Sequence, residues 1–388
     1  MHKVHVEELQ PGMLLGKDIY NEQDRVLLAR GVALTRRYIE VLQRLGFYAI
    51  YIMDGIADDV IPTDILSDRV HITVSKHVRQ LFTIGQNSPL ALSDDKLRPS
   101  MTNLMNAAQP VIGQLYRDVE RIIDQAASAQ VLSGVTSLKN HDSYTFDHSV
   151  EVAVAGVLLG IRMRLQPLEL HQLALGCLCH DIGKLAVPTD ILQKLGPLTE
   201  EEQEVVRQHP TTGYEIARQI MGSSDILARH IVWQHHERQD GLGYPRGLRG
   251  TNEIVRSSEG RFGRGLILPV AEIAVIAEVY AGLASDQPHR PAMPLGRIAT
   301  TLREMAGTHL NREIVNRFLS ILPGFSLGSE VVVIAGQFQH HRGVVTEIHP
   351  DDLQRPTIRI LFDPSGQSIP PFELDCRLEK DIGLAATS

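Results

Sequence analysis

Between residues 131 and 320 the chain repeats one pattern, an apolar stripe at helical spacing, and its metal-type side chains sit on those stripes. His148 opens a stripe of Val150, Val152, Val154, Val157, Leu158 and Leu159. A second runs from Leu168 to Cys179 and ends at His180-Asp181. Thr199-Glu200-Glu201-Glu202 has the form of a capping box and leads to His209. Ile226 to His236 ends in the pair His235-His236, and Ile267 to Leu283 carries Glu272 and Glu278. Apolar residues every third or fourth position specify helices with a buried face, and several in succession specify a bundle. The bundle follows from periodicity; a site shared by its helices is inferred from residue type.

Taken singly, each histidine reads as an ordinary core or surface residue. Together with Asp181 the histidines form a constellation, each in a segment with a helical pattern. A His-Asp doublet puts an imidazole and a carboxylate at adjacent positions, so both can reach one metal pair on a rigid backbone. Lys184, four residues past His180, can place a cation on a substrate bound there. Imidazole with carboxylate is the ligand set of Fe, Mn, Zn and similar ions. Two ions sharing a carboxylate suit in-line phosphoryl chemistry. Cys177 and Cys179 lie two apart on a helix, face different ways, and read as small core residues.

Composition narrows the alternatives. The 388 residues are 43% hydrophobic and 22% charged, as expected of a globular protein with a substantial core. A net charge of −8 argues against binding duplex nucleic acid. Aromatics are sparse and nowhere interleaved with basic residues, so no platform for stacking single strands is expected. The cysteines, Cys177, Cys179 and Cys376, are too few for a disulfide framework. The first residues lack an apolar signal region, and Val150 to Met163 is too short to span a bilayer. A cytoplasmic protein with no membrane association is expected.

The fold expected is mainly α, with a small module at each end. Residues 1–55 read as a small α+β regulatory module. It has short strands at Met13-Leu14-Leu15 and Val26-Leu27-Leu28 around Asn21-Glu22-Gln23-Asp24. A helix capped by Thr35 and ended by Gly46 precedes a strand over 47–52. Residues 56–130 read as a helical linker region. Pro110 is expected to stop a helix beginning at Val111. That helix's stripe of Val111, Leu115, Val119, Ile122 and Ala126 fits its own domain better than a homodimer seam, which stays open. Residues 131–325 are the bundle, followed by a small β-barrel or sandwich over 326–388. His340, His341 and His349 read as surface turn residues. Arg249, Arg256, Arg261 and Arg264 lie on a polar loop that is solvated or clamps phosphate.

The stretch from Tyr144 to Arg290 resembles the HD-GYP family, a branch of the HD metal-dependent phosphohydrolases. The resemblance rests on Tyr144-Thr145-x-x-His148-Ser149, on His180-Asp181-Ile182-Gly183-Lys184 and on His209. It rests most on His235-His236-Glu237-x-x-Asp240-Gly241-x-Gly243-Tyr244-Pro245. It implies an HD-type helical bundle that holds divalent transition-metal ions and hydrolyses the bacterial messenger cyclic di-GMP to pGpG or GMP. Carried over by position, the ligands are His148, His180, Asp181, His209, His235 and His236, with Asp181 bridging. Lys184 contacts the scissile phosphate. Gly243, Tyr244 and Pro245 line the substrate pocket and offer a docking point for a partner protein.

The chain departs from the family pattern at specific positions. The last ligand, usually Asp, is Glu278, one methylene longer, and a second Asp is replaced by Ala281. The usual Arg-Pro-Tyr-Lys/Arg phosphate contact reads Gln287-Pro288-His289-Arg290, which keeps Arg290 as a substrate contact but loses a cation. Members with a third metal carry a Glu where this chain has Tyr144, which implies two ions. Iron or manganese is expected, with zinc or nickel the alternatives. A cyclic di-GMP phosphodiesterase is the reading these residues favour. The alternatives are a non-catalytic sensor that binds a cyclic dinucleotide or metal, and a phosphohydrolase of another nucleotide.

Overall fold

The computed structural model describes residues 1–20, 25–53, 55, 57–61, 64–86, 97–132, 144–194, 196–254, 265–286 and 292–387. The N-terminal module pairs β1 (His2–His5) antiparallel with β5 (Ala49–Met53), which also pairs with β2 (Leu14–Leu15). β3 (Ile19–Tyr20) and β4 (Val26–Leu28) form a separate ribbon. Asn21-Glu22-Gln23-Asp24 between them lies outside the described residues. α1 (Arg36–Arg44) starts where the Thr35 hydroxyl accepts from the Tyr38 N–H, and buries Ile39 and Leu42. Leu15, Ile50 and Ile52 complete that small core.

α2 (Asp68–Gln86) and α3 (Leu97–Ser128) share one hydrophobic core with the bundle. α3 runs straight through Pro110, which corrects the expectation of a helix end there. Proline removes one intrahelical bond, but Ala108, Val111, Ile112 and Leu115 around it are buried against the bundle. Tertiary packing outweighs the local penalty. The same stripe is consumed inside the chain, so it offers no free dimer seam.

The bundle continues with α4 (Tyr144–Arg162), α5 (Pro167–Cys179), a 3₁₀ turn over Ile182–Ala186 and α6 (Thr189–Leu192). Then follow α7 (Glu200–Arg207), α8 (His209–Ile220), α9 (Ile226–Gln234), α10 (Pro269–Ala284), α11 (Leu295–Met305) and α12 (Arg312–Leu319). α5 and α10 bury most of their residues, as helices at the centre of a bundle do. Cys177 and Cys179 are fully buried core residues. Thr199 and Glu202 form the expected capping box at α7. On α2, Ser75 donates to Asp147 Oδ1 at 2.6 Å and the His71 ring lies 3.3 Å from the same oxygen. These contacts fix the first turn of α4 beside His148.

β6 (Glu330–Ala335), β7 (Arg342–His349), β8 (Asp352–Phe362), β9 (Ser368–Asp375) and β10 (Gly383–Ala386) form an antiparallel sheet in the order β10-β6-β7-β8-β9. Val331, Val333, Val345, Ile358 and Ile360 fill its buried face. His349 is not a surface turn residue: it ends β7, is 4% exposed, and its ring meets the Thr357 hydroxyl at 2.9 Å. The β7–β8 register draws it inward. Arg359 on β8 holds Asp59 through two bonds of 2.7 and 2.8 Å, tying the segment after the first module to this sheet.

Candidate metal centre

The site begins where α5 ends. His180 caps that helix, and its Nδ1 lies 2.7 Å from the Cys177 carbonyl. A carbonyl only accepts, so Nδ1 carries the proton and Nε2 presents a bare lone pair. The arrangement recurs at two more histidines. His209 Nδ1 meets the Val206 carbonyl at 2.7 Å, and His235 Nδ1 meets the Val232 carbonyl at 2.8 Å. Each ring is therefore held in one orientation by a backbone oxygen three residues earlier.

Gly183 lets these elements converge. A Cβ there would sit 1.8 Å from the His209 carbonyl oxygen, so only glycine allows the 3₁₀ turn to lie against the start of α8. His209 and His235 then face each other with their Nε2 atoms 3.0 Å apart. Asp181 Oδ1 lies 3.4 Å from His209 Nε2 and 4.0 Å from His235 Nε2, and Oδ2 lies 3.4 Å from His180 Nε2. His236 brings a ring nitrogen within 4.8 Å of those of His209 and His235. The His148 ring packs edge-on to His180 at 5.7 Å. Glu278 on α10 approaches His236 Nδ1 at 3.9 Å.

Electrostatics favour a cation among these donors. Burial lowers the His209 pKa to about 4 and holds His235 and His236 well below the ordinary imidazole value. For His180 burial also acts downward, but Asp181 and Glu278 outweigh it and the net shift is upward. Burial opposes ionisation of Asp181, yet Lys184, His180 and His209 together hold its carboxyl well below the usual range. Burial pushes Glu278 up to about 7. His180 Nε2 and Asp181 Oδ1 are buried without a hydrogen-bond partner. Two bare imidazole nitrogens at 3.0 Å and an undonated carboxylate oxygen form a hole shaped for a positive ion.

The loop after the histidine pair folds back onto it. Tyr244 N–H donates to the His236 carbonyl at 3.1 Å, and its ring stacks on the His236 ring at 4.7 Å. Gly243 is required because a Cβ there would sit 2.5 Å from the His236 carbonyl oxygen. Lys184 Nζ donates to Asp181 Oδ2 at 2.6 Å, on the rim of the donor cluster. Arg290 and Gln287 lie outside the described residues, as do Arg256, Arg261 and Arg264. The Arg249 side chain packs against Gly241 and is exposed.

Some residues that build the site carry no role that the sequence pattern assigns. Glu237 is 1% exposed and accepts from the N–H groups of Arg246 and Leu248 at 2.8 and 2.7 Å, clamping the Gly-Tyr-Pro loop. Gln239 and Asn311 donate to the two oxygens of Glu272 at 2.6 and 3.0 Å, tying the loop to α10 and α12. Burial raises Glu272 to about 7 against those two donors. An acid inside an otherwise apolar helical stripe is the one sequence signal for Glu272. Arg207, whose guanidinium lies over the Tyr244 ring, has no sequence signal.

Comparison with known proteins matches residues 138–314 to the HD domain model. The matched segment is a little under half of the chain and holds every residue of the donor cluster named above. Within that segment the His180-Asp181 doublet and the Gly243-Tyr244-Pro245 loop are the motifs that resemble the HD-GYP branch. HD domains of this kind are metal-dependent, and the histidine cluster supplies the donors. A cyclic di-GMP phosphodiesterase of Pseudomonas aeruginosa is 27% identical over 277 residues, covering 67% of this chain and 62% of its own. A 3'3'-cGAMP-specific phosphodiesterase of Vibrio cholerae is 33% identical over 175 residues, covering 45% of this chain and 36% of its own. The chain thus spans less than two thirds of the length of either relative. An HD-GYP-type protein of Bdellovibrio bacteriovorus aligns over 81% of this chain and 97% of its own, at 16% identity and a TM-score of 0.41. No described helix is long and apolar enough to cross a membrane.

Proposed function

We propose that this protein hydrolyses cyclic di-GMP, adding water across a P–O3′ bond to give pGpG or, after a second round, GMP. The observation that carries the reading is the pair of bare Nε2 atoms of His209 and His235, 3.0 Å apart beside the undonated Asp181 Oδ1. His148, His180, Asp181, His209, His235, His236 and Glu278 would hold two divalent ions. Iron or manganese is expected, with zinc or nickel the alternatives. When bound, such ions supply Lewis acidity and lower the pKa of water toward neutrality.

The chain's own groups do the rest. Carbonyls of Cys177, Val206 and Val232 hold the imidazoles in the metal-binding tautomer before any ion arrives. Lys184 sits on Asp181 where it can turn to an oxygen of the scissile phosphate and offset its growing charge. The Tyr244 ring, stacked on His236, borders the donor cluster and helps hold the His236 ring in place. Glu237 keeps that loop from moving away as substrate enters. A bacterial cytoplasmic location follows from such a substrate, and the Gly243-Tyr244-Pro245 loop is the face a partner protein would meet.

The test is incubation of metal-loaded protein with cyclic di-GMP and, in parallel, 3'3'-cGAMP, with chromatography of the products. Formation of pGpG or GMP is expected. Stable binding of cyclic di-GMP without turnover would instead favour a sensor, and turnover of 3'3'-cGAMP alone would change the substrate.

A further inference from the structure

Arg207 is the last residue of α7, and its guanidinium carbon lies 5.7 Å from the centre of the Tyr244 ring. Tyr244 in turn touches both His236, at 4.7 Å, and His209, at 6.5 Å between ring centres. The arginine is exposed and is linked to the metal-type cluster through the Tyr244 ring. Its position is coupled to the cluster through the backbone. The Val206 carbonyl, next to Arg207 in the same turn, is the group that holds His209 Nδ1 at 2.7 Å.

Among the described cations near this rim, two are held by carboxylates. Lys184 is held by Asp181 at 2.6 Å, and Arg238 is held by Asp240 at 2.6 Å. Arg246 and Arg249 are exposed too, but Arg246 lies on the Trp233 face, 4.6 Å from the ring centre, and Arg249 packs against Gly241. Arg207 instead lies on Tyr244, the ring that meets His236 and His209. Arg207 is exposed and has no acidic partner among the described residues. An aromatic face holds a guanidinium plane in place while leaving its edge N–H groups free, and that edge matches two phosphate oxygens.

We infer that Arg207 is a specificity-determining residue that binds the non-scissile phosphate of a cyclic dinucleotide while Lys184 serves the scissile one. The inference rests on the proposed function, because only a substrate with two phosphates engages both cations. Tyr244 has a double role in this arrangement: it carries Arg207 on one side and closes over His236 on the other.

The test compares wild type, Arg207→Ala and Arg207→Lys on two substrates, cyclic di-GMP and bis(p-nitrophenyl) phosphate, a diester with a single phosphate. Metal content per chain and equilibrium binding of cyclic di-GMP at two salt concentrations are measured alongside. In Arg207→Ala the KM for cyclic di-GMP rises and the kcat/KM ratio between the two substrates falls, each about tenfold. Its binding also loses part of its salt dependence. Arg207→Lys restores part of the loss, since a point charge replaces the fork. An unchanged substrate ratio in Arg207→Ala overturns the inference, as does an equal loss on both substrates accompanied by loss of metal. Wild-type protein that cleaves the small diester but neither binds nor cleaves cyclic di-GMP overturns the proposed function, and this inference with it.

Discussion

His209 and His235 approach each other nitrogen to nitrogen at 3.0 Å, each with its proton committed to a backbone carbonyl on the far side of the ring. Two lone pairs at that distance repel unless a cation sits between them or one ring is protonated. Burial depresses both pKa values, which disfavours protonation and leaves metal as the stabilising partner. Protein purified without chelator and analysed for elements should therefore carry transition metal. Asp181→Ala or His235→Ala should empty at least one position and reduce phosphodiester turnover on the order of 100-fold or more. Full metal content in both variants would refute the assignment.

Glu278 tests the last position. Its carboxylate stands 3.9 Å from His236 Nδ1, within reach of the cluster, and carries the extra methylene. Glu278→Ala is expected to lose one ion per chain. Glu278→Asp should keep both and retain or gain activity, because the shorter acid needs no compensating shift of α10. Elemental analysis of the two variants side by side decides it.

Gly183 and Gly113 predict opposite outcomes for the same substitution. Gly183→Ala drives a methyl into the His209 carbonyl and should cost about 3 kcal/mol or more, with loss of metal, seen as a lowered melting temperature. Gly113 lies inside α3, and a methyl added there would meet nothing within 4 Å. Gly113→Ala should stabilise by roughly 0.5–1 kcal/mol.

Glu272 predicts a pH signature. Its carboxyl titrates at about 7 in the folded protein against an ordinary 4.5, so the native state holds a proton that the unfolded chain has released. Stability from this group is therefore greatest below pH 4.5, falls as pH rises through that window, and levels off above 7. The total is about 3 kcal/mol. Glu272→Gln removes the slope. Urea denaturation at pH 5 and pH 8 should show the variant gaining on wild type at the higher pH; an equal offset at both would count against a raised pKa.

The bundle and the candidate donors were legible from sequence because both signals are local. Helical periodicity marked α4, α5, α9 and α10, and the Thr199 box marked the start of α7. The order of His148, His180-Asp181, His209 and His235-His236 carried the family resemblance. Local rules failed where packing at long range reverses a local preference. Pro110 sits inside α3 because its neighbours are buried on the bundle, and His349 is drawn in by the β7–β8 register. Sequence alone set which metal-type side chains the chain carries and in what order. Only the tertiary structure decided that the Nε2 atoms of His209 and His235 meet, that Glu237 clamps the loop, and that Arg207 lies on Tyr244. Those contacts join segments from different helices and loops, and their geometry comes from close packing such as that of Gly183 on His209, which no periodicity encodes.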